Sequence, residues 1–269
     1  LHSVLGADMK YRKLGNTNLN VSLICLGTMS FGEQNTEKDA HEQLSYALEK
    51  GVNLIDTAEM YAIPPREETQ GLTEKYIGTW VKKYKNRDKY LLATKVAGPG
   101  MDYVRDGSRL SKVHVAKAID SSLIRLNTDY IDSVLIHGPR HDIETPLGHC
   151  LDVMLEWKAK GKIGHIGIGV RQHEFHKRAI ETGEMDIILS FLDYTLLSQS
   201  LSKTSIPLAL KNDVGIILAS PLTGSLLAGP EPIFRGTING KDELPPSLVG
   251  SRMDPSIYPM AHRMWAVSY

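Results

Sequence analysis

Cysteine is scarce in this chain, and its scarcity excludes a disulfide scaffold. Only two cysteines, Cys25 and Cys150, occur among 269 residues, and so few favour a reducing, cytoplasmic compartment. No apolar run approaches the roughly 20 residues of a membrane span, so no membrane partner is expected. Residues 1–8 lack the charged start and long apolar core of a secretion signal. We interpret them as a remnant of added vector sequence before Met9.

An excess of charge of either sign is also lacking. The chain has 31 Lys and Arg against 31 Asp and Glu. Nucleic-acid binders usually carry a basic excess, so no nucleic-acid partner is expected. No G-x-S-x-G occurs, which leaves a hydrolase nucleophile elbow without support. His173 and His176 are one residue too close for the H-E-x-x-H zinc motif, and no metal is expected.

What the chain does contain is a repeated alternation of apolar, strand-like runs with helix-like segments. Strands that are buried on both faces by helices read as continuous apolar runs, and this alternation predicts βα units and a parallel sheet. Seven such runs favour an α/β fold of the (β/α)₈ TIM-barrel type over an open sheet. The runs are residues 22–28, 52–56, 89–96, 133–138, 163–170, 185–191 and 214–220.

The two ends of the chain depart from the alternation. Residues 10–22 read as a β-hairpin turned at Gly15-Asn16, and such a hairpin could plug the bottom of a barrel. Six of the 13 prolines lie between Pro230 and Pro259, which predicts an irregular C-terminal tail over 230–269. The sequence therefore divides into a barrel over 9–229 and this tail, with the eighth βα unit incomplete or missing.

Four polar residues stand at or just beyond the ends of three adjacent predicted strands. They are Asp56, Tyr61, Lys95 and His137. In barrels of this kind the working residues lie at the C-terminal ends of the strands. A lysine cation near a phenol favours the phenolate, and a carboxylate beside the lysine keeps it charged. We therefore predict that Asp56 holds Lys95, that Lys95 lowers the pKa of Tyr61, and that His137 orients a carbonyl oxygen.

Taken singly, these residues have ordinary structural interpretations. Asp56 could cap a helix, Lys95 could extend to the surface, and His137 could be a buried histidine with satisfied hydrogen bonds. Four such groups in order at adjacent strand ends favour one shared active site instead. In that site Tyr61 is predicted to donate a proton to a carbonyl and, in the reverse direction, to accept one from an alcohol.

The motifs "GTMSFG", "NLIDTAEMY", "ATKV", "LIHGP", "GKIGHIGIGV" and "ASPLTGSLLAG" resemble, in matching order over residues 9–229, those of the aldo-keto reductases. The resemblance implies that Asp56, Tyr61, Lys95 and His137 are a catalytic tetrad. It also implies reduction of aldehydes or ketones with NADP or NAD as cofactor, bound across the end of the barrel. The cofactor contacts that it implies are Gly27, Thr28, Met29, Asp56, Gly169, Ser220, Leu222, Gly224 and Arg252. For Arg252 the simpler interpretation is a solvated arginine in a proline-flanked surface loop.

Several positions depart from the pattern of that family. Gly169-Val170 stands where a Ser-Asn pair commonly holds the carboxamide, Phe191 replaces a glutamine, and Ala219 replaces a stacking aromatic. The resemblance therefore leaves three hypotheses. The first is an oxidoreductase for a small carbonyl or sugar substrate. The second is a catalytically impaired barrel that binds a cofactor or a partner, and the third is a barrel that closes poorly. The sequence does not indicate an oligomeric state.

Overall fold

A parallel sheet surrounded by helices is the main feature of the computed structural model, which describes residues 9–98, 110–139, 142–223 and 227. The strands are β1 (Tyr11–Lys13), β2 (Asn20–Ser22), β3 (Leu26–Gly27), β4 (Leu54–Asp56), β5 (Leu91–Val96), β6 (Ile131–His137), β7 (Ile163–Gly169), β8 (Ile187–Phe191) and β9 (Gly215–Ala219). The helices are α1 (Glu37–Glu49), α2 (Leu72–Tyr84), α3 (Lys112–Arg125), α4 (Leu151–Ala159), α5 (His173–Ile180) and α6 (Ser205–Lys211). None of these helices combines the length and apolar character that crossing a bilayer would require.

The seven strands β3 to β9 lie in sequence order, all parallel, in a nearly closed barrel. The predicted α/β barrel class is therefore confirmed. The tail over 230–269, where the eighth unit was expected to be incomplete, lies outside the described residues. The first predicted strand, 22–28, was too long, because only Leu26–Gly27 pairs with β4. Ser22 belongs to the hairpin instead, and its amide donates to Asn53 Oδ1 at 2.7 Å.

The hairpin of β1 and β2 closes the end of the barrel at which the strands begin. The Asn16 amide donates to the Asp213 carbonyl at 2.7 Å, which ties the turn to the start of β9. Gly15 has φ +56°, and a Cβ there would collide with the Gly215 backbone, so the close approach requires glycine. The hairpin and the barrel interior share one apolar cluster that includes Leu14, Leu19, Val21, Leu54, Ala93, Leu135, Leu189 and Ile217. The structure thus confirms the plug.

The side chains that face the barrel interior continue from this cluster to the opposite end of the barrel, which we call the mouth. Because side chains alternate along a strand, the residue two beyond an interior residue also faces inward. Leu54, Ala93 and Leu135 lie in the interior cluster. The residues two positions further along are Asp56, Lys95 and His137. The alternation therefore brings an acid, an ammonium and an imidazole to the mouth from β4, β5 and β6.

Close packing of α2 against α3 leads to a stability prediction at Gly78. A Cβ at this position would collide with the Arg125 carbonyl oxygen, which is backbone and cannot rotate away. Gly78→Ala should lower the free energy of unfolding by about 2–3 kcal/mol, the usual cost of overpacking a dense contact. Urea titration measures this. Gly148→Ala is the control, because a Cβ at Gly148 would have no atom within 4 Å in the part of the chain that the structure describes. Equal effects of the two variants would contradict the packing argument.

A second stability prediction concerns Asp186 near the plugged end. Burial raises the pKa of Asp186, but His165, the Ile166 amide and Lys158 outweigh it and lower the pKa to about 2. The ordinary aspartate value lies above this, so the carboxylate stabilises the fold above about pH 4. That contribution, about 2 kcal/mol, is lost as the pH falls from about 4 to about 2. Urea titrations of Asp186→Asn and the parent at several pH values should show their stability gap closing in acid; a constant gap would argue against it.

Candidate active site

An ion pair between Lys95 and Asp56 forms the base of the site. The Lys95 ammonium donates to Asp56 Oδ2 at 2.6 Å and to the Thr57 carbonyl at 2.7 Å. Lys95 is only 2% exposed. Gly169 lies beside its stem, since a Cβ at that position would be in ordinary van der Waals contact with Lys95 Cδ at 3.6 Å. The structure brings together the pair that the sequence predicted, and the contact locates the charge of Lys95 at the floor of the mouth.

Tyr61 and His137 lie beside this pair. Lys95 Nζ lies 5.0 Å from the centroid of the Tyr61 ring. The rings of Tyr61 and His137 meet edge to face, with their centroids 5.8 Å apart. All four predicted residues therefore meet at one place, although Tyr61 comes from the loop after β4 and not from a strand.

The directions of the pKa shifts show whether burial or the neighbouring charges have the larger effect on each group. Burial raises the pKa of Tyr61, and the Lys95 cation lowers it by a smaller amount, so the pKa of the phenol lies above its ordinary value. Burial likewise raises the pKa of Asp56 against the opposing effect of Lys95. Burial lowers the pKa of Lys95, but Asp56 and Tyr61 more than restore it. Lys95 therefore acts on Tyr61 in the predicted direction, whereas the expected net lowering was wrong because desolvation dominates.

The residues that the resemblance assigned to the cofactor surround one side of the mouth. A Cβ at Gly27 would meet no atom of the described residues within 4 Å, and Met29 is 44% exposed. Thr28 is buried, and both its amide and its hydroxyl donate to the Asp56 carbonyl. Leu222 is 49% exposed, and Ser220 leaves β9 with φ +54°. Gly224 and Arg252 lie outside the described residues.

An unassigned polar atom lies in the same loop. The Thr223 hydroxyl is buried and has no hydrogen-bond partner within the part of the chain that the structure describes. An unsatisfied buried hydroxyl is costly, typically by about 1–3 kcal/mol. Such an atom is suited to a polar ligand that would complete its hydrogen bonding. The loop after β9 therefore offers a hydroxyl together with the small residue Ser220.

The wall opposite the ion pair is formed by small and apolar residues. Phe191 ends β8 two residues beyond the interior residue Leu189, and it pairs with Ala219 of β9. Gly169 ends β7, and its missing side chain faces Lys95 and Leu189. The mouth thus has a charged half, from β4 to β6, and an apolar half, from β7 to β9. The sequence alone does not predict this division, because it depends on the register of neighbouring strands.

Sequence reasoning also missed a polar network behind the apolar half. The Asp193 carboxylate accepts from Arg171 Nε at 2.9 Å, and its other oxygen lies 3.3 Å from His173 Nε2. His173 Nδ1 lies 2.9 Å from the Thr204 hydroxyl. His176, the other residue of the rejected zinc motif, bonds instead to Ser205 and to the Val170 carbonyl. The network ties together the loops after β7 and β8. Only the short spacing between the two histidines could have pointed to it.

A third omission is Glu59, which lies between Asp56 and Tyr61. Its side chain is 4% exposed, and Oε1 accepts from the Ala97 amide at 2.9 Å. A carboxylate within a motif that otherwise supplies predicted site residues was the available signal in the sequence. Its partner, an amide at the end of the neighbouring strand, could be found only from the fold.

Comparisons with known proteins agree with this geometry. The profile of the Aldo/keto reductase family matches residues 23–236. Protein tas of Escherichia coli is 42% identical over 178 residues, which cover 60% of this chain and 51% of tas. The oxidoreductase YrpG of Bacillus subtilis, whose activity is uncharacterised, is 33% identical over 82% of this chain and 69% of its own length.

Among solved structures, the holo form of an aldo-keto reductase from Bacillus halodurans superimposes with a TM-score of 0.71. It is 30% identical, and the match covers 86% of this chain and 73% of that one. The match to tas spans about half the length of that relative. With the profile matched from residue 23 to residue 236, this chain belongs to the aldo/keto reductase family.

Proposed function

We propose that this protein is an NAD(P)-dependent oxidoreductase that reduces an aldehyde or ketone, or oxidises an alcohol or sugar, with Tyr61 as general acid and base. The observation that carries the proposal is the contact of Lys95 with both Asp56 and Tyr61 at the mouth of the barrel. A phenol beside a buried ammonium can give up and regain a proton with less charge separation than an isolated phenol. Family membership supports the same chemistry.

The residues at the mouth fit a dinucleotide. The open space at Gly27 suits close approach by a large polar molecule, and so does the Thr223 hydroxyl, which lacks a partner among the described residues. Members of the family generally use NAD(P)H. When bound, the nicotinamide supplies the hydride; Gly27, Thr28, Met29, Ser220 and Leu222 would hold the cofactor. Asp56 would act through Lys95, and Gly169, which lies beside the Lys95 stem, would be a further cofactor contact.

The protein chain itself supplies the proton that the reduction requires. In reduction, the Tyr61 hydroxyl donates its proton to the carbonyl oxygen as negative charge develops there, and Lys95 stabilises the resulting phenolate. His137, whose ring touches the edge of Tyr61, directs the carbonyl oxygen toward the hydroxyl. In oxidation the same groups act in reverse. The small and apolar wall at Gly169, Phe191 and Ala219 excludes water from the opposite side.

A second candidate is a barrel that binds cofactor without turning over a substrate. One observation favours it: burial raises the pKa of Tyr61, which makes the phenol a weaker acid near neutral pH. The replacement of the residues that commonly hold the nicotinamide points the same way. Binding and turnover must therefore be measured separately.

One purified sample distinguishes the two candidates. NADPH and NADH binding is measured by fluorescence titration, and cofactor oxidation is then followed against a panel of aldehydes, ketones and sugars. Turnover of any carbonyl supports the oxidoreductase. Saturable binding with no turnover over the whole panel supports the second candidate. Neither binding nor turnover would overturn both.

A further inference from the structure

The loop that carries Tyr61 continues the pairing of β4 with β5 beyond the end of the strand. The Thr57 amide donates to the Ala93 carbonyl at 2.9 Å, and the Glu59 amide donates to the Lys95 carbonyl at 3.0 Å. These are the bonds that a longer β4 would make along a parallel ladder. The segment from Thr57 to Glu59 is therefore held against the strand that supplies the lysine.

The next rung of this ladder is made by a side chain. β5 ends at Val96, and Ala97 has φ +61°, so the chain leaves the direction of the strand just after the Ala97 amide. Glu59 Oε1 accepts from that amide at 2.9 Å. Both residues are buried, Glu59 to 4% and Ala97 to 1% exposure. Breaking a hydrogen bond between buried groups costs free energy, so the contact holds the two segments together.

This contact joins the two segments that carry Tyr61 and Lys95. Glu59 is two residues before Tyr61, and Ala97 is two residues after Lys95. The following residue, Gly98, approaches His137 closely, since a Cβ there would lie 3.0 Å from His137 Nδ1 and 2.7 Å from Met60 Sδ. A shift of the Ala97 turn would therefore disturb Tyr61 on one side and His137 on the other.

We propose that Glu59 is a positioning residue, whose carboxylate fixes the Tyr61 loop to the end of β5 and thereby holds the phenol over Lys95. The inference rests on the proposed function for its kinetic consequence, but the geometry that it describes can be tested without turnover. Glu59 acts through the placement of Tyr61.

The test uses graded substitutions of Glu59. Glu59→Gln keeps an oxygen that can accept from the Ala97 amide. Glu59→Asp keeps the charge, but its side chain is one methylene shorter, so the carboxylate no longer reaches that amide. Glu59→Ala removes the acceptor. We expect kcat within about threefold of the parent for Gln and at least about tenfold lower for Asp and Ala, with the dissociation constant of the cofactor little changed. Glu68→Gln, in the same loop but exposed, is the matched control.

A double-mutant cycle separates positioning from general destabilisation. In the Tyr61→Phe background the proton donor is already absent, so Glu59→Asp should cost little further turnover, although it remains costly in the parent. Equal losses in both backgrounds, or an Asp variant that folds and turns over like the parent, would overturn the proposal.

A spectroscopic measurement keeps the inference independent of the proposed function. With ¹³C-labelled tyrosine, the Cζ resonance of Tyr61 is assigned by its disappearance in Tyr61→Phe. The chemical shift of this resonance should change in Glu59→Asp and should remain the same in Glu59→Gln and Glu68→Gln. A shift without any turnover in the parent would support the positioning role while the proposed function fails. An unmoved Tyr61 resonance in a folded Glu59→Asp variant would overturn the positioning role whatever the activity.

Discussion

Tyr61→Phe should lower kcat by at least about a hundredfold while the dissociation constant of the cofactor stays nearly the same. The substitution removes one oxygen and leaves the ring that contacts Lys95 and His137. General acid catalysis contributes about 10²–10⁴ to a rate, and its loss appears in kcat when ground-state binding is unaffected. Steady-state kinetics together with a fluorescence titration of the cofactor measure the two effects separately.

The control for this prediction is Tyr46→Phe. Tyr46 lies on α1, is 59% exposed, and its ring contacts Lys50 at the surface. Its loss of a hydroxyl should leave kcat unchanged. A Tyr61→Phe enzyme with near-parental turnover would remove Tyr61 as the proton donor, and the role of general acid would then have to belong to another group at the mouth.

Lys95→Met should lower kcat by roughly a thousandfold, and it should also change the pH dependence of the activity that remains. The Lys95 cation is the main influence that opposes the rise in the pKa of Tyr61 caused by burial. Without it the pKa of Tyr61 rises further. In the reductive direction Tyr61 must carry its proton, so residual activity should persist to higher pH than in the parent. In the oxidative direction the activity should require a higher pH.

Asp56 and Lys95 should behave as one unit in this experiment. Removing only the lysine leaves a buried carboxylate without its counter-ion, which typically costs about 3–5 kcal/mol of stability. Folding of Lys95→Met is therefore checked by urea titration, with the exposed Lys75→Met as the control. Asp56→Asn should reduce activity less than Lys95→Met, and the double variant should be little worse than Lys95→Met alone. Strictly additive losses in kcat would show that the two residues act separately.

The order of the strands and the meeting of the four polar residues at the mouth could be predicted from the sequence for a local reason. An apolar run that ends in a polar residue, as in "NLID" or "VLIH", indicates a strand. The polar residue indicates the end of that strand and supplies a side chain to the mouth. Alternation along each strand then fixes the face, so Asp56, Lys95 and His137 had to meet once the strands were parallel and adjacent. The hairpin plug was also predictable, because Gly15-Asn16 is a strong local turn signal.

Other features were decided only by contacts between distant segments. β3 covers only Leu26–Gly27, which is shorter than the predicted strand 22–28. Ser22 pairs within the hairpin and its amide bonds to Asn53 instead. The contact of Glu59 with Ala97 required the end of β5 to turn away beside it. The net direction of the pKa of Tyr61 depended on how much protein covers the phenol, and desolvation is set by the whole surrounding fold. A sequence shows which charged residues are present near a site. The tertiary structure decides how deeply they are buried, and hence whether desolvation or a neighbouring charge has the larger effect on a pKa.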